Sequence, residues 1–470
     1  MIRHPFTHSD FKDKRLSERA NYVLSAMTST GSSVINRIFR TFAEKIAAYR
    51  MINNKKITCA SISESYKNAT KQAVESNDIA HVLCLQDTCE INYDAHSQRM
   101  HKKGKKPGCV SNEEVGCFFH PTLAIDAETF VPCGFTSIKM WNREEGGRNC
   151  YDRKYKKLSP EAKESFRWSE AIDNTRDLLG GKVDITMLSD RESDVYEVLK
   201  RASSDVRIIV RSNQNRRIKN HKDKLHDMMR ALPSLGNYEF VIPASHGRKA
   251  RVARMEVRFT SVELELPASA KGEADANVGL NCICVSEVSD TVPHGEKPTE
   301  WILLTNHEVN SVEQALQCVN WYKCRWFIEE LFRLLKKKGF AIEDIQLEDT
   351  ECLEKNILFA AYAAMRCIAI KHAFDNGDYY KRVPAYRCFS IDEIETAKLL
   401  QRKLNGKTAK QQNPYHSGSL AWMSWILARL GYWSGYLSQS RPGYTTFKSG
   451  LDQLQSHCEM YQIMRDVYKG

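Results

Sequence analysis

The stretch VDITMLSD, residues 183–190, is a short apolar run that ends at an aspartate. Its length and its β-branched residues favour a buried strand, and a helical pattern lies on each side of it, over residues 160–179 and 193–202. An earlier run, residues 79–86, has the same character and also ends at an aspartate, Asp87. Strands that alternate with helices predict an α/β fold with a sheet at its centre.

Further extended segments surround these two strands. Residues 117–125 and 129–141 form two extended runs separated by an acidic turn, and residues 206–211 form another strand pattern. This order predicts a mixed sheet, with three antiparallel strands followed by parallel crossovers. Residues 213–300 then contain alternating segments that predict an inserted β-rich subdomain, which the run EWILLT at residues 300–305 closes.

Both ends of the chain have helical patterns. Residues 10–50 carry apolar side chains at helical spacing, interrupted by TSTGSS at residues 28–33, and the chain from Ser311 onward is mainly helical. Hydrophobic residues make up 42% and charged residues 27% of the 470 residues, which is typical of a globular protein and excludes a disordered chain. The best membrane candidate, Ile357–Met365, is shorter than the ~20 residues that span a bilayer. Because the N-terminus also lacks a signal-peptide pattern, we expect a cytoplasmic protein without a membrane partner.

The cysteines do not form a recognisable framework. Fifteen are scattered along the chain, and the closest pair, Cys282 and Cys284, has one residue between its members. This spacing lacks the C-x2-C pattern of zinc sites, so we expect free thiols rather than disulfides or a structural zinc. Most should act as small buried hydrophobic side chains.

Positive charge is concentrated near the N-terminus. The chain carries a net charge of +11, and residues 1–56 contain eleven basic and four acidic side chains, a local excess of +7. Such an excess on a small module is typical of a surface that binds a polyanion, although an ordinary solvated face gives the same pattern. Further basic clusters at residues 101–107, 153–157 and 211–224 favour nucleic acid and are predicted to lie on loops.

Residues 311–338 are predicted to form one amphipathic helix. At 100° per residue, Tyr322, Arg325, Glu329 and Lys336 share a wedge about 60° wide, and apolar side chains fill the other side. One carboxylate that shares a side of a helix with two cations and a phenol indicates a functional face. The alternative is a solvated face with ordinary pairing between Arg325 and Glu329, four residues apart.

Three carboxylates are candidates for a metal site. Asp87 and Asp190 each end an apolar strand, and Glu329 lies on the later helix, so only the fold can bring them together. Carboxylate oxygens are the ligands that Mg²⁺ prefers. Three carboxylates can hold two such ions about 4 Å apart, as in-line phosphoryl transfer requires. Taken singly, an aspartate at a strand end is more often a turn or cap residue.

These residues belong to segments that resemble a known family. The matching segments are Leu85–Thr88, Leu188–Asp194, Val206–Ser212, Glu300–Thr305 and Tyr322–Glu330. The last one fits the family's Y-x2-R-x3-E-x6-K signature through Tyr322, Arg325, Glu329 and Lys336. The sequence resembles the insertion-sequence-four family of DDE transposases from bacterial cut-and-paste elements, typified by the transposase of transposon five. The resemblance runs from about Asp10 to Gly431.

The resemblance implies a domain organisation and an activity. It implies a helical DNA-binding domain over residues 1–65, an RNase H-like catalytic core over 66–365 with a β-rich insertion at 213–306, and a helical dimerisation domain over 366–470. Such an enzyme binds terminal inverted repeats, cleaves double-stranded DNA through a hairpin intermediate, and joins the 3′ ends to target DNA. It works as a homodimer in a synaptic complex, with two Mg²⁺ ions that Mn²⁺ can replace, in the bacterial cytoplasm at the nucleoid.

The resemblance also implies individual roles. Asp87, Asp190 and Glu329 would carry the metal ions, and family alignment rather than geometry selects Asp190 over Asp194. The expected DNA contacts are Arg15 and Arg19 to the inverted repeat, Arg211, Tyr322, Arg325 and Lys336 to phosphates, Trp301 to a flipped base, and Trp326 in the signature segment. Trp301 could equally be a packing aromatic of its strand, and Asn213 stands where the family has a lysine.

Two other classes of function fit the same residues. One is an RNase H-like, structure-selective nuclease that cuts DNA without joining it. The other is a non-catalytic DNA-binding protein, for example an inhibitor of transposition. The products of a cleavage reaction distinguish the first from a transposase, and metal-dependent cleavage itself distinguishes the second.

Overall fold

The computed structural model describes residues 4–100, 108–110, 114–143, 158–242, 250–265, 277–336, 339–436, 438 and 440–467. The chain divides into two compact units. The first unit contains Met1–Ile79, Thr88–Lys156 and Phe327–Gly470, and the second contains Ala80–Asp87 and Lys157–Trp326. The fold is mixed α/β, with helices toward both ends of the chain. The basic clusters at 101–107 and 153–157 lie outside the described residues.

The helices are α1 (Lys14–Thr30), α2 (Ile35–Ile38), α3 (Phe42–Ile52), α4 (Cys59–Ser76), α5 (Ser97–Met100), α6 (Phe166–Leu179), α7 (Tyr196–Leu199), α8 (Leu225–Ala231), α9 (Val312–Lys323), α10 (Trp326–Lys336), α11 (Thr350–Asp375), α12 (Gly377–Tyr380), α13 (Ile391–Leu404), α14 (Leu420–Leu430) and α15 (Tyr444–Val467). The strands are β1 (His81–Gln86), β2 (Cys89–Asn92), β3 (Gly116–Asp126), β4 (Pro132–Trp141), β5 (Asp184–Ser189), β6 (Arg207–Arg211), β7 (Gly236–Ile242), β8 (Arg251–Leu264), β9 (Val278–Glu287) and β10 (Glu300–Thr305).

The second unit is built on a sheet of seven described strands. β1 and β5 are parallel, β5 and β6 are parallel, and β6 pairs antiparallel with β10. From β10 the sheet continues through β9, β8 and β7, each antiparallel to the one before. The stretch predicted to be a β-rich insertion contains β7, β8 and β9, which extend the same sheet as the parallel strands, and its status as an inserted subdomain stays a prediction. The interior positions of β1 and β5 are buried, which explains their continuous apolar runs.

The first unit combines an antiparallel sheet with most of the helices. β2 pairs with β3 and β3 pairs with β4, both antiparallel. The ring of Tyr66, on α4, lies 4.4 Å from the ring of Tyr362, on α11, and the Tyr66 hydroxyl donates a hydrogen bond of 3.2 Å to the carbonyl of Leu358. The N-terminal helices thus share a core with a helix almost 300 residues later in the chain.

Local signals explain where the N-terminal helices start and stop. Asp13 caps α1 by accepting a hydrogen bond from the backbone N–H of Arg15, and Gly31 ends the helix with a φ of 54°, which a glycine adopts without steric cost. Thr41 and Glu44 form a capping box at the start of α3. The helix break predicted at residues 28–33 is confirmed, whereas α4 and β2 were not predicted.

One central helix is longer and more apolar than the sequence interpretation allowed. Among the described residues, α11 is the one helix that is long and apolar enough to cross a membrane. Its most apolar 18-residue window has a mean hydropathy of 1.4, and 89% of this window is buried inside the protein. It also holds a buried ion pair, because Arg366 donates to Glu393 at 2.9 Å. Burial of this extent is typical of the core helix of a globular fold. The predicted domain boundary at residue 365 falls inside α11.

Candidate active site

The chain brings Asp87 and Asp190 to the ends of two neighbouring parallel strands. Leu85 of β1 lies opposite Leu188 of β5, and each aspartate follows its leucine by two residues. Because adjacent strands lie about 4.8 Å apart, this register delivers both residues to the same edge of the sheet at the same level. Both aspartates are partly buried. The prediction that distant strand ends meet is therefore supported for these two residues.

Asp190 sits in a turn that its neighbours hold in place. Its Oδ1 accepts a hydrogen bond of 2.9 Å from the backbone N–H of Glu192 and so caps the short 3₁₀ helix Arg191–Ser193. The hydroxyl of Ser193 donates to the Asp190 carbonyl at 2.8 Å and also forms a hydrogen bond of 2.6 Å with the hydroxyl of Ser189. The cap role anticipated for a strand-end aspartate is thus present, and it orients the carboxylate at the surface of the second unit.

Asp194 has a different environment from Asp190. Its side chain is fully buried and pairs with Arg216 at 2.6 Å. Its other oxygen accepts hydrogen bonds from the backbone N–H groups of Asn213 and Gln214 at 2.7 and 2.8 Å. Every carboxylate oxygen of Asp194 is therefore used to hold the loop after β6. Asp194 therefore has a structural role, and the functional role of Asp190 stays a prediction.

Arg325 lies beside Asp87 in the second unit. A guanidinium nitrogen of Arg325 is 3.0 Å from Oδ2 of Asp87, and both side chains are about one-fifth exposed. This ion pair is shielded enough to fix the orientation of the carboxylate. Within the second unit, Arg325 thus pairs with the end of a strand.

The prediction of a single helix over residues 311–338 is wrong. α9 ends at Lys323 and α10 begins at Trp326. Between them, the backbone N–H groups of Cys324 and Arg325 donate to carbonyls three residues earlier, at 2.9 and 3.0 Å, which tightens the last turn of α9. The common wedge calculated for the four signature residues requires a continuous helix and therefore does not apply. Tyr322 and Arg325 are presented by the end of α9, and Glu329 and Lys336 by α10.

Tyr322 is buried among charged groups. Its hydroxyl makes no hydrogen bond of normal geometry to the described residues. Burial raises the pKa of Tyr322 above its usual value, the positive charges of Arg325 and Arg211 oppose this, and Asp190 adds to it. The phenol therefore stays protonated at neutral pH, as a donor held beside two guanidinium groups.

Three arginines form a positive cluster next to the two aspartates. Arg211, at the end of β6, donates a hydrogen bond of 3.0 Å to the carbonyl of Glu300. Burial lowers the pKa of Arg211, the Tyr322 phenol acts against this, and the positive charges of Arg191 and Arg325 lower it further. Arg191 is a candidate that the sequence interpretation missed, although it directly follows Asp190 in a quoted motif. Mutual repulsion among these cations favours an anion between them.

Trp301 belongs to an aromatic cluster on β10. Its ring meets the rings of Tyr322 and Phe240 edge-on, with centroids 5.5 and 5.7 Å away. The ammonium of Lys323 lies 4.7 Å from the centroid of Phe240. The packing role that was the alternative for Trp301 is present, and the tryptophan is still partly exposed. Trp326, at the start of α10, is 59% exposed.

Glu329 and Lys336 belong to the first unit. Glu329 is partly buried in the first turn of α10. The ammonium of Lys336 is 3.3 Å from Glu343, which also accepts a hydrogen bond of 3.1 Å from the backbone N–H of Asn92. The meeting of Glu329 with Asp87 and Asp190 stays a prediction. Across the described residues, no group of three or more His, Cys, Asp or Glu side chains is arranged to hold a metal ion.

Arg15 and Arg19 share a face of α1. They are four residues apart, so they lie on the same side of the helix. The side chain of Arg15 is 90% exposed, and the guanidinium of Arg19 lies 5.4 Å from the ring centroid of Tyr22. The hydroxyl of Tyr22 donates to Glu44 at 2.5 Å, which ties α1 to α3. The structure thus presents a basic helical face, as expected for binding a polyanion.

The basic cluster at residues 211–224 serves partly as structure. Arg216 pairs with the buried Asp194, and Lys219 pairs with Glu263 at 2.7 Å. Arg217, Lys222 and Lys224 remain exposed. The cluster is therefore a folded segment with some accessible cations rather than a simple projecting loop.

The N-terminal region matches a known family of DNA-binding modules. Residues 1–57, which include α1, α2 and α3, match the family model described as transposase DNA-binding. The matched residues include the basic face of α1 with Arg15 and Arg19. The match supports identification of the chain as a DNA-binding transposase.

Proposed function

We propose that the protein is a DDE transposase of the insertion-sequence-four family that acts by cut-and-paste transposition. It binds terminal inverted repeats, cleaves the DNA through a hairpin intermediate and joins the 3′ ends to target DNA. The observation that carries the proposal is the placement of Asp87 and Asp190 at one edge of the sheet, beside Arg191, Arg211 and Arg325, in a chain whose N-terminus matches a transposase DNA-binding family.

The donor set at this edge suits a hard divalent cation. Asp87 and Asp190 supply carboxylate oxygens from adjacent strands, and Mg²⁺ and Mn²⁺ prefer such ligands. We propose Glu329 as the third carboxylate of the site, in an RNase H-like core. Bound in pairs, such ions supply activation of the attacking water or 3′-hydroxyl and stabilisation of the leaving oxygen.

The protein's own residues position the DNA. Arg325 fixes the carboxylate of Asp87, and the positive charges of Arg191 and Arg211 attract the phosphate to be cut. Lys336 and Tyr322 complete the phosphate contacts in this proposal. Trp301 is held edge-on by its neighbours, so its exposed portion is ready to stack a flipped base without reorganisation.

The C-terminal helix supports the proposed homodimer. Met460, Ile463, Met464 and Val467 occur at i, i+3, i+4 and i+7 on α15 and are each at least half exposed. This spacing places four large apolar side chains on one stripe of the helix. A second copy of the same stripe offers a self-complementary partner, as a two-fold interface requires. We place the protein in the cytoplasm, at its DNA substrate.

The test is cleavage of DNA that carries the element's ends, with Mg²⁺ or Mn²⁺ and without metal. Asp190→Asn and Asp87→Asn should abolish nicking while DNA binding persists. The matched control is Asp177→Asn, because Asp177 is an exposed aspartate on α6 of the same unit. Cleavage that survives Asp190→Asn contradicts the mechanism.

The products separate the remaining classes of function. Hairpin ends followed by strand transfer identify a transposase, and simple nicks without joining identify a nuclease. Binding without any metal-dependent cleavage identifies a non-catalytic DNA-binding protein. Trp301→Ala should reduce hairpin formation and leave the first nick, because stacking acts on the flipped base.

A further inference from the structure

The C-terminal part of the first unit carries a second concentration of positive charge. Residues 396–451 contain eight lysines and arginines and no aspartate or glutamate, which gives this stretch a charge of +8. Residues 1–56, a stretch of the same length, have an excess of +7. An excess of this size on one folded segment is typical of a surface that binds a polyanion.

Four of these cations follow one another at the end of α13 and in the loop after it. Arg402 and Lys403 lie in the last turn of the helix, Lys407 and Lys410 lie in the loop, and all four are exposed. Cations in the last turn of a helix also interact favourably with the helix dipole, which accounts for the first two. The two lysines of the loop have no such structural reason.

The loop after α13 is tied to the segment that follows α14. Arg429, on α14, donates to the carbonyl of Leu404 at 3.0 Å and to the carbonyl of Trp433 at 2.8 Å. The side-chain amide of Gln411 donates to the carbonyl of Ser434 at 3.3 Å. The cations of the loop and residues 431–436 therefore belong to one ordered surface.

Tyr432 lies on this surface in a conformation that tyrosine rarely adopts. The backbone N–H of Tyr432 donates to the carbonyl of Arg429 at 3.1 Å, and that of Trp433 donates to Ala428 at 3.0 Å, which closes the end of α14. Tyr432 has a φ of 69°, in the left-handed region where helix ends usually place a glycine. It is 80% exposed, so burial of the ring does not offset the strain. Backbone strain of this kind clusters at functional sites.

We propose that Arg402, Lys403, Lys407, Lys410 and Tyr432 form a binding site for single-stranded DNA. The four cations neutralise phosphates, and the exposed ring of Tyr432 stacks on an unpaired base. Cations beside an exposed aromatic ring are typical of proteins that bind single strands, whereas the bases of a duplex are already stacked on each other. DNA is favoured over RNA because the N-terminus of the chain matches a transposase DNA-binding family. The site lies within the first unit and does not depend on the proposed cleavage chemistry.

The test is fluorescence anisotropy of the full-length protein with a labelled oligothymidine of about 12 nucleotides, without divalent metal. Tyr432→Gly removes the ring and suits the left-handed backbone, so binding should weaken about fivefold or more while the melting temperature rises. The matched control is Tyr386→Gly. Tyr386 is 56% exposed in the segment that pairs with the start of α14, at the opposite end of that helix, and its loss should leave binding unchanged.

A second pair of variants tests the phosphate contacts. Lys407→Gln with Lys410→Gln should reduce the slope of log K against log salt by about 1.4, at ~0.7 per phosphate of a single strand. Lys182→Gln with Lys200→Gln removes the same charge from exposed positions of the second unit and should leave the slope unchanged. An oligonucleotide that contains 5-iodouracil should cross-link on irradiation to the peptide that contains Tyr432.

Three results would overturn the proposal. The first is a Tyr432→Gly variant that binds the oligothymidine as tightly as the parent protein. The second is an equal loss of affinity of this variant for a duplex of the same length, which would make the surface a duplex site. The third is an unchanged salt dependence after substitution of Lys407 and Lys410.

Discussion

Two aspartates four residues apart should respond in opposite ways to substitution. Asp194 is fully buried, pairs with Arg216 at 2.6 Å, and accepts two backbone hydrogen bonds from the loop after β6. Asp190 is partly exposed, and its described side-chain contact is the cap to Glu192. We predict that Asp194→Ala destabilises the second unit strongly and that Asp190→Asn leaves its stability almost unchanged.

The magnitude follows from the contacts. Removing one partner of a buried ion pair typically costs ~3–5 kcal/mol, because the remaining charge is left uncompensated. In Asp194→Ala the uncompensated charge is the guanidinium of Arg216, which is 13% exposed. At ~2–4 °C per kcal/mol for a unit of this size, the melting temperature should fall by about 6–20 °C. Asparagine at position 190 can still accept the cap hydrogen bond, so the expected cost is below ~0.5 kcal/mol.

The assay is urea unfolding of the full-length variants, followed by circular dichroism, with thermal melting as a second readout. Asp177→Asn serves as the surface control. The double variant Asp194→Asn/Arg216→Met should lose less free energy of unfolding than the sum of its single variants, because the two side chains interact directly. Equal losses for the substitutions at 190 and 194, or a loss below about 1 kcal/mol for Asp194→Ala, would refute the assignment of structural and functional roles.

Three further predictions concern DNA binding, pH and assembly. Arg15→Ala and Arg19→Ala should each reduce the slope of log K against log salt by about 0.9 if each neutralises one phosphate, and an unchanged slope in fluorescence anisotropy would contradict a phosphate contact. Burial lowers the pKa of His307 to about 3, so the folded state resists protonation of this side chain. The contribution of neutral His307 to the free energy of unfolding should therefore be fully present above pH 6.5 and fall by ~1.4 kcal/mol per pH unit below that value. His307→Gln should reduce this slope in urea titrations at pH 7.5, 6.5 and 5.5. Ile463→Glu with Met464→Glu should convert the proposed DNA-bound dimer to a monomer in light scattering, whereas glutamate at the exposed Ser456, earlier on α15, should not.

The sequence was informative where apolar periodicity and burial agree. β1 and β5 are buried along almost their whole length, so their continuous apolar runs predicted strands that end at Asp87 and Asp190. The same argument missed α4. This helix contains six serine, threonine or asparagine residues, which weaken its apolar pattern, and two of them, Ser65 and Thr70, are buried. Buried hydroxyls in a helix bond to the preceding turn, as Thr70 does to Tyr66, and such pairing is invisible to a hydrophobic pattern.

The prediction of one helix over residues 311–338 was wrong for a related reason. Residues 311–338 have an amphipathic pattern throughout, and nothing in their propensities requires a break at Cys324 and Arg325. At the break, Arg325 pairs with Asp87, which is 238 residues away in sequence. Tertiary contacts of this range override local propensity, so the site residues could be identified from the sequence but their arrangement could not.

The charge balance of the second unit suggests how binding and chemistry are separated. Two carboxylates, Asp87 and Asp190, lie with three guanidinium groups, those of Arg191, Arg211 and Arg325, which leaves one net positive charge before any cation binds. In the proposed mechanism a phosphate is therefore attracted without metal, whereas the proposed cleavage requires divalent ions to offset the carboxylates. Removing a carboxylate should then strengthen metal-free DNA binding at low salt, while removing an arginine weakens it. If Asp190→Asn weakened metal-free binding instead, the arginine cluster would not be the phosphate site.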